Sequence, residues 1–220
     1  PLRPGMIYDS NSYGLAASVL RYGGRPRLLG IARDTREAIH QKLDQGLAAD
    51  MLVTSAGVSK GDYDMVKDVL AERGEIAFWS IRMRPAKPMA FGLLRGSGGR
   101  QVPHLGLPGN PVSALVAFEE LVRPALLKML GCTQLEKPTI CAILEDALVN
   151  DDARRVFARV VVSRREGIYY ARLAGGQGSN LLTSMAQANG LAICPEDVSR
   201  LEPGQEVEVR MLDWSQEVVL

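Results

Sequence analysis

A loop near residue 55 combines an anion-binding pattern with two carboxylates. Residues 54–64 follow the apolar run 50–53 and precede a helical pattern at 65–70. A strand that ends in a hydroxyl-rich loop and leads into a helix turns free backbone N–H groups toward one spot, which favours an anion. Asp62 and Asp64 lie in the same loop, where a bare anion site would carry no acids. The loop therefore predicts a phosphorylated ligand whose charge is bridged by a divalent metal.

The same loop has a simpler interpretation as an ordinary turn between a strand and a helix. Serine and threonine commonly cap helices in such turns, and Asp62 and Asp64 would then only complement the positive end of the helix dipole. Taken alone, the loop favours the ordinary turn. The choice depends on which other segments reach the same place.

A cationic arm at 82–88 is the second segment with groups suited to chemistry. Arg82, Arg84 and Lys87 are interspersed with prolines that hold the chain extended. An arginine fork and a lysine point charge suit a phosphate or another oxyanion. On spacing alone, a solvated surface loop explains the arm equally well.

Two further polar segments lie at a predicted strand end and a predicted helix start. In the turn 107–113, prolines on either side of Gly109 and Asn110 stiffen a backbone that can approach a ligand, and Pro111 suits the first position of a helix. Structural stiffening alone explains these prolines as well. In the segment 8–12, a plain helix N-cap is favoured over a polar grip on a ligand.

The histidines give little support to nucleophilic catalysis. His40 and His104 are the only histidines in the sequence. His40 lies in a polar helical pattern, and His104 lies in a short predicted strand, where a structural role is favoured over a general base. No Ser–His or Cys–His pairing is evident, which disfavours triad chemistry.

Helices and strands alternate in the part of the chain that must position these segments. Apolar or alternating runs predict strands at 27–32, 51–53, 75–83, 89–94 and 102–107. Capped helical patterns predict helices through 13–20, 38–43, 65–70 and 111–130, the last kinked at Pro124. Strands separated by helices imply a three-layer α/β domain, with a mostly parallel sheet and helices on both faces.

The pattern changes from helical to β-type after Gly131. A linker-like Glu136-Lys137-Pro138 is followed by short β-type runs at 139–144, 155–163, 168–173, 191–194 and 206–212. The sequence therefore predicts an α/β domain at 1–134 and a small all-β domain at 135–220.

The composition is that of an ordinary globular protein and excludes several classes. The 220 residues are 46% hydrophobic and 23% charged, and the net charge of +1 shows no basic excess that would indicate nucleic acid. No apolar run approaches the length of a membrane helix. The cysteines are Cys132, Cys141 and Cys194, widely spaced and odd in number, which favours a reducing cytoplasm over a disulfide or metal framework.

Taken together and in this order, the four polar segments resemble the molybdopterin molybdenumtransferase family, that is, MoeA and the related gephyrin E domain. The matching segments are 5–11, 54–59 with 61–64, 83–88 and 107–113, and the β-rich tail is similar to the family's last domain. The resemblance covers essentially the whole chain. It implies a MogA-like molybdopterin-binding domain followed by a C-terminal β-barrel-like domain.

The resemblance implies an enzyme of molybdenum cofactor biosynthesis. Members of this family insert molybdate into adenylylated molybdopterin and release AMP. Hydroxyl and backbone N–H groups at 54–57 would then hold the pterin phosphate, and residues 9–11 would grip the ligand from the opposite side. The implied binding set comprises Asp9, Ser10, Asn11, Thr54, Ser55, Gly57, Ser59, Pro108, Gly109, Asn110 and Pro111.

The acidic and basic positions match the family's reacting groups. By resemblance, Asp62 and Asp64 would hold Mg²⁺ against the pyrophosphate that is cleaved, with Asp64 also counted as catalytic. Arg84 and Lys87 would attract molybdate and stabilise the charge that builds on the phosphates. The family also implies a homodimer in the cytoplasm, with a molybdopterin adenylyltransferase as a candidate partner and with no nucleic acid or membrane.

The chain also departs from the family in ways that leave alternatives open. Family members carry about two further domains before the matched segment, so a chain that begins at Pro1 is expected to be a C-terminal fragment that is inactive alone or only binds ligand. Ala56 stands where the family commonly has a second glycine, which restricts one backbone approach. The alternatives are a non-catalytic pterin-binding or peptide-binding scaffold of gephyrin type, and a molybdopterin adenylyltransferase. Retention of Asp62, Asp64 and Lys87 favours chemistry over a scaffold, and the β-rich tail disfavours the adenylyltransferase.

Overall fold

The computed structural model describes residues 2–58 and 63–213, apart from the side chains of Tyr63 and Asp64. The chain divides into a first unit, Pro1–Ile81 with Ala86–Thr133, and a second unit, Arg82–Pro85 with Gln134–Leu220. The sequence predicts that Arg82–Pro85 is part of the first domain, but the structure assigns this segment to the second unit. It belongs to the second unit because Met83 and Arg84 pair with a strand there.

The described residues form the following helices and strands. The helices are α1 (Asn11–Arg21), α2 (Arg36–Gly46), α3 (Tyr63–Arg73), α4 (Pro111–Ala117), α5 (Arg123–Met129) and α6 (Leu182–Gln187). The strands are β1 (Leu52–Ser55), β2 (Gly74–Ser80), β3 (Met83–Arg84), β4 (Pro88–Arg95), β5 (Gln101–Leu107), β6 (Thr139–Leu144), β7 (Leu148–Val149), β8 (Arg155–Arg165), β9 (Ile168–Leu173), β10 (Gly190–Cys194), β11 (Arg200–Leu201) and β12 (Glu206–Met211).

Side-chain caps fix the starts of the first two helices. The carboxylate of Asp9 accepts a hydrogen bond from the backbone N–H of Ser12 at 3.0 Å and another from the Ser12 hydroxyl. The hydroxyl of Thr35 accepts from the backbone N–H of Ala38 at 3.2 Å. Each contact satisfies a donor that the first turn of a helix leaves without an intrahelical partner. The predicted caps are therefore confirmed at both helices.

The sheet of the first unit has the strand order β1-β5-β4-β2. Strands β1 and β5 are parallel, whereas the β5–β4 and β4–β2 pairs are antiparallel. The α/β class is confirmed, but the strand directions differ from the expected mostly parallel sheet. The reason is the length of the connections: residues 81–87 and 96–100 are too few for the crossover of about a dozen residues that a parallel pair needs.

The predicted buried strand at 27–32 is wrong. Among the described residues this segment pairs with no strand, and Leu28 and Ile31 are 54% and 74% exposed. Gly30 has φ +74°, which an extended strand cannot accommodate. Only Leu29 and Ala32 pack against the core, so the apolar run supplies an edge contact and no strand.

Helices cover the sheet of the first unit and bury its apolar side chains. One core cluster joins α2 and α3 to the sheet, and its buried members are Ile39, Leu43, Leu52, Val69, Leu70, Leu94 and Val102. Alternate residues of β5 place Leu105 and Leu107 on the opposite face, where they are buried too, and α4 lies against this strand.

The long helix predicted from Pro111 runs on to Met129, with a π-helical segment directly before the turn that contains Pro124. Pro111 occupies the first turn of α4, a π-helical segment covers Phe118–Val122, and α5 then begins with Pro124 in its first turn. Proline has no N–H for the usual i to i−4 bond, and the wider π turn absorbs the missing donor. The irregular π turn thus lies beside Pro124, the position at which the sequence predicts a kink.

The second unit contains a closed β-barrel. Strand β10 pairs with β12, β12 with β6, β6 with β9, β9 with β8, and β8 with β10 again. Strand β3 adds to the side of β8, and β7 and β11 form a separate pair. Closure removes the free strand edges that a small sheet would otherwise expose. The predicted all-β, barrel-like character is confirmed.

Arg159 is a charged side chain buried outside the barrel core. Val156, Ala158 and Val160 point into the core from β8, so Arg159 must point the other way. Its side chain is 2% exposed, and its guanidinium donates to the carbonyls of Gly176 and Gly178 at 3.2 Å and to the Ser184 hydroxyl at 3.3 Å. Burial lowers the pKa of Arg159 to about 10, so the group stays charged at neutral pH. Arg159 therefore ties the loop before α6 to the barrel wall.

His104 is a buried polar side chain in the sheet of the first unit. It lies in β5 with 0% exposure, and burial lowers its pKa from 6.5 to about 4. The folded protein therefore holds this imidazole neutral in a pH range where the unfolded chain binds a proton.

No helix in the described part of the chain has a stretch long and apolar enough to cross a membrane.

We predict that Arg159→Met lowers the free energy of unfolding by about 2 kcal/mol, because the Gly176 and Gly178 carbonyls lose their donor. Urea denaturation measures the loss, and hydrogen exchange of residues 175–184 locates it. Arg172→Met, on an exposed arginine of β9, is the matched control and should change stability by less than about 0.5 kcal/mol. Equal effects of the two substitutions would contradict the assigned role of Arg159.

We predict that His104 makes the protein less stable in acid. Because the folded pKa lies below the unfolded value, its contribution is complete above pH 6.5 and declines as the pH falls toward 4. The total loss amounts to about 3 kcal/mol. Urea denaturation at several pH values should show a shallower decline for His104→Phe than for the parent chain. Parallel pH profiles would show that folding does not lower the pKa of His104.

Candidate functional site

The parallel pair of β1 and β5 brings two of the predicted loops to one edge of the sheet. Thr54 pairs with Gly106 and Ser55 with Leu107, so the segments that follow both strands begin side by side. The backbone N–H of Ala56 continues the ladder by donating to the carbonyl of Leu107 at 3.0 Å. The carboxyl ends of parallel strands are where open α/β sheets place their ligands.

The side chain of Asn11 ties three segments together at this edge. Its Nδ2 donates to Ser55 Oγ at 2.6 Å and to the Gly109 carbonyl at 2.8 Å. Ser55 Oγ in turn donates to the Pro108 carbonyl at 3.2 Å. The start of α1, the end of β1 and the loop after β5 are therefore held by one hydrogen-bond cluster, which joins three of the four predicted segments.

The loop after β1 has a backbone shaped for an anion. Ala56 and Gly57 both have positive φ, 72° and 74°, so successive peptide groups turn the same way. The N–H groups of Gly57 and Val58 donate to no other described residue. Free N–H groups at the carboxyl end of a parallel strand are available to an anion.

Small residues allow the two loops and α3 to approach closely. A Cβ on Gly57 would lie 2.9 Å from a methyl group of Val66, so both its φ and its packing require glycine. A Cβ on Gly109 would lie 3.4 Å from that of Ala56, which places the two loops in contact. The restriction expected at Ala56 takes the form of a left-handed alanine, which costs about 1 kcal/mol.

Thr54 has a buried partner that the motif did not reveal. Its Oγ1 lies 3.0 Å from Nε2 of His104, on the face of the sheet that the two residues share. His104 was expected to be structural, but its contact with a predicted ligand-binding hydroxyl was missed. Only the β1–β5 register, which a single sequence does not display, would have found it.

Lys87 lies at the same sheet edge as the two loops. Strand β4 runs antiparallel to β5 with Ala90 opposite Gly106, so the residue just before β4 stands at the carboxyl end of β5. The Lys87 carbonyl accepts from the backbone N–H of Ile81 at 2.8 Å, and the residue is exposed. This arrangement leaves its ammonium directed to solvent or to a ligand.

Arg84 is assigned to a different unit from Lys87. It belongs to the second unit, where its guanidinium donates to the Asp151 carboxylate and to the Val149 carbonyl. The cationic arm expected from 82–88 is thus divided between the units, because β3 pairs with β8. The part assigned to Arg84 in binding molybdate stays a prediction.

The remaining predicted binding residues serve local structure in the first unit. Asp9 caps α1, as described above, and Ser10 stands at the helix start with its N–H bonded to the Tyr8 carbonyl at 3.1 Å. The Asn110 carbonyl accepts from the N–H of Ala114 at 2.9 Å, and Pro111 opens α4. These contacts fix the backbone beside the candidate site.

The side chains of the predicted metal ligands Asp62 and Asp64, and the predicted binding residue Ser59, lie outside what the structure describes. Ser59 and Asp62 fall in the gap at 59–62, and only the backbone of Asp64 is described, in the first turn of α3. Within the described side chains, no group of three or more His, Cys, Asp and Glu residues is placed to hold a metal ion. The Mg²⁺ assignment therefore stays a prediction.

Comparison with known families covers nearly the whole chain. Residues 2–128 match the family described as "Probable molybdopterin binding domain", and residues 142–212 match the "MoeA C-terminal region (domain IV)". The first match spans the helices and strands that carry the candidate site.

Individual relatives agree with these matches. The chain is 36% identical over 216 residues to the molybdopterin molybdenumtransferase of Nostoc sp., covering 96% of this chain and 49% of the relative. It is 30% identical over 240 residues to gephyrin of Dictyostelium discoideum, covering 96% of this chain and 33% of the relative.

A solved structure supports the same relationship. The crystal structure of the MoeA protein of molybdopterin biosynthesis from Pyrococcus horikosii is 32% identical, with a TM-score of 0.79, and the alignment covers 98% of this chain and 51% of that one. This chain thus spans about half the length of the molybdenumtransferases it matches. Through residues 2–128, the chain belongs to the probable molybdopterin binding domain family, and residues 142–212 add the MoeA C-terminal region (domain IV).

Proposed function

We propose that this chain provides the molybdopterin-binding and C-terminal part of a molybdopterin molybdenumtransferase. In this activity, molybdate enters adenylylated molybdopterin and AMP is released. One observation carries the proposal: the β1–β5 register and the Asn11 side chain bring three of the four predicted segments to one sheet edge. The names of the relatives at 31–36% identity support the same activity.

The loop after β1 is proposed to hold the phosphate of the pterin. The N–H groups of Gly57 and Val58 donate to no other described residue. The Thr54 hydroxyl has His104 as its single partner among the described residues. A phosphate presents several acceptor oxygens, so it would match this set of donors. The Ser55 hydroxyl is already engaged with Asn11 and Pro108, and we assign it the task of shaping the loop.

The loop after β5 is proposed to form the floor of the pterin site. Pro108 and Pro111 limit its backbone freedom, and Asn11 holds the Gly109 carbonyl in place. Asn110 stands exposed between them, within reach of solvent and of a bound ligand. A rigid floor reduces the entropy lost when a ligand orders a loop.

Lys87 and Arg84 are proposed to bind molybdate and to stabilise negative charge in the transition state. Lys87 is exposed at the edge of the first sheet, where it can act as a mobile point charge. Arg84 donates to the Asp151 carboxylate and the Val149 carbonyl and lies 3.7 Å from the Asp152 carboxylate, and a guanidinium with five N–H donors keeps others for an oxyanion.

Asp62 and Asp64 are proposed to bind Mg²⁺, on the strength of their residue types and their match to the family. Carboxylate oxygens are the usual protein ligands of this ion. When bound, Mg²⁺ would neutralise charge on the pyrophosphate of the adenylylated pterin. A homodimer, a cytoplasmic location and a molybdopterin adenylyltransferase partner complete the proposal, and they rest on the family resemblance and the free cysteines alone.

We predict that Asn11→Asp weakens binding of molybdopterin by about tenfold or more. The substitution keeps the size of the side chain but replaces its donor with an acceptor, so both contacts that join the loops are lost. Anaerobic calorimetry with metal-free molybdopterin measures the change.

Gln101→Glu makes the same amide-to-acid change at an exposed position at the start of β5, the opposite edge of the sheet, and should leave affinity unchanged. If Asn11→Asp binds as tightly as the parent chain, the sheet edge is not the pterin site.

We predict that Asp64→Ala lowers molybdenum cofactor formation by at least about 100-fold, the scale on which losing one electrostatic stabiliser acts. The substitution is made in the gene of the full-length protein, which is expressed in a strain that lacks the native gene. The cofactor content of the cells is then measured. Asp68→Ala, on an exposed acid one turn further along α3, should leave cofactor content unchanged. Normal cofactor levels with Asp64→Ala would favour a non-catalytic scaffold instead.

A further inference from the structure

The contact between Thr54 and His104 is a buried hydrogen bond with one nitrogen left over. Oγ1 of Thr54 lies 3.0 Å from Nε2 of His104, whose side chain is 0% exposed. The other ring nitrogen, Nδ1, is buried without a hydrogen-bond partner among the described residues. Burying an unsatisfied polar atom is costly, so the arrangement calls for an explanation.

The leftover nitrogen identifies the tautomer of the neutral ring. If Nδ1 carried the proton, a buried N–H donor would have no acceptor, which folded proteins rarely tolerate. If Nε2 carries it, the unsatisfied atom is a bare acceptor, and Nε2 donates to Thr54 Oγ1. With its pKa lowered to about 4 by burial, the ring does not hold both protons at neutral pH. The structure therefore favours the tautomer in which His104 is the donor.

The direction of this hydrogen bond fixes what Thr54 can do. Its oxygen accepts from His104, so its own hydroxyl proton must point elsewhere, and that proton meets no acceptor among the described residues. Thr54 is the last but one residue of β1, two positions before the left-handed turn at Ala56 and Gly57. The threonine is thus prepared as a donor at the anion-binding loop.

Tight packing keeps the imidazole in this orientation. A Cβ on Gly106 would lie 3.3 Å from Cε1 of His104, 3.0 Å from Val58 Cγ1 and 3.0 Å from Ala90 Cβ. Val58 belongs to the loop itself and is 5% exposed. The ring and the loop are therefore packed around the same glycine, and a rotation of the ring would disturb the loop.

We propose that His104 is a positioning residue that makes the Thr54 hydroxyl a dedicated hydrogen-bond donor to an anionic oxygen of the ligand. This inference rests on the proposed function, because it takes the loop after β1 as the pterin-phosphate site. It explains why the sheet carries a buried imidazole with an unsatisfied nitrogen. It also adds a residue outside the matched segments to the machinery that recognises the ligand.

Ligand binding by four chains tests the proposal: the parent, His104→Phe, Thr54→Val and the double variant. Metal-free molybdopterin is the probe, and anaerobic calorimetry gives its Kd. We expect each single substitution to weaken binding by about tenfold, and the double variant to bind no more weakly than either. His104→Phe also removes the orphaned nitrogen, so its free energy of unfolding at pH 7.5 should not fall. Loss of affinity without loss of stability is not expected from a merely structural histidine.

Further measurements separate the possible failures. His104→Gln, which can still donate near the Nε2 position, should recover most of the affinity, and His40→Phe on α2 should have no effect. In the parent chain, long-range ¹H–¹⁵N spectra should show Nε2 protonated and Nδ1 bare at pH 7, a result that needs no ligand and no variant. A proton on Nδ1, or unchanged affinity in His104→Phe beside a weakened Thr54→Val, would overturn the inference alone. A parent chain that fails to bind molybdopterin would overturn the proposed function instead.

Discussion

The carboxamide of Asn11 is the contact on which the candidate site depends. Its two donated hydrogen bonds reach the side chain of the last residue of β1 and a carbonyl after β5, so one group sets the separation of both loops. An amide suits this position because it donates twice without charge. A lysine or arginine here would instead pair with the anion that the loops are proposed to bind. Asp9 caps α1 and so frees Asn11, two residues later, from that task. Neighbouring residues in one short segment thus divide the work between starting the helix and joining the loops.

Much of the architecture could be predicted from the sequence because local signals define it. Strands β6 and β9 have the predicted bounds, and Thr35 caps α2, since turn residues and alternation are written into neighbouring positions. The run 27–32 failed because its glycine adopts a positive φ that hydrophobicity does not encode. The directions of β2 and β4 follow from connection lengths, which the strand pattern alone did not convey.

The candidate site was predictable in its members and not in its contacts. The four polar segments named Asn11, Ser55 and Gly109, but their pairing across 44 and 98 residues depends on strand register. The same limit hid His104, which becomes the partner of Thr54 only when β1 and β5 align. It also hid the division of the arm 82–88, because Arg84 follows a two-residue pairing with β8 that no local pattern marks.

Two of the buried polar side chains, His104 and Arg159, show how a structural group differs from one positioned for binding. Arg159 donates to two carbonyls and a hydroxyl, and those contacts account for its burial without any ligand. His104 makes one contact and leaves a nitrogen unsatisfied, at a cost of about 1–3 kcal/mol that a leucine or valine would avoid. Departures from the rule that buried polar atoms are satisfied concentrate at functional sites. The contact of His104 with Thr54, next to the loop proposed to bind the pterin phosphate, fits that pattern, because the hydrogen bond would fix the direction of the Thr54 hydroxyl.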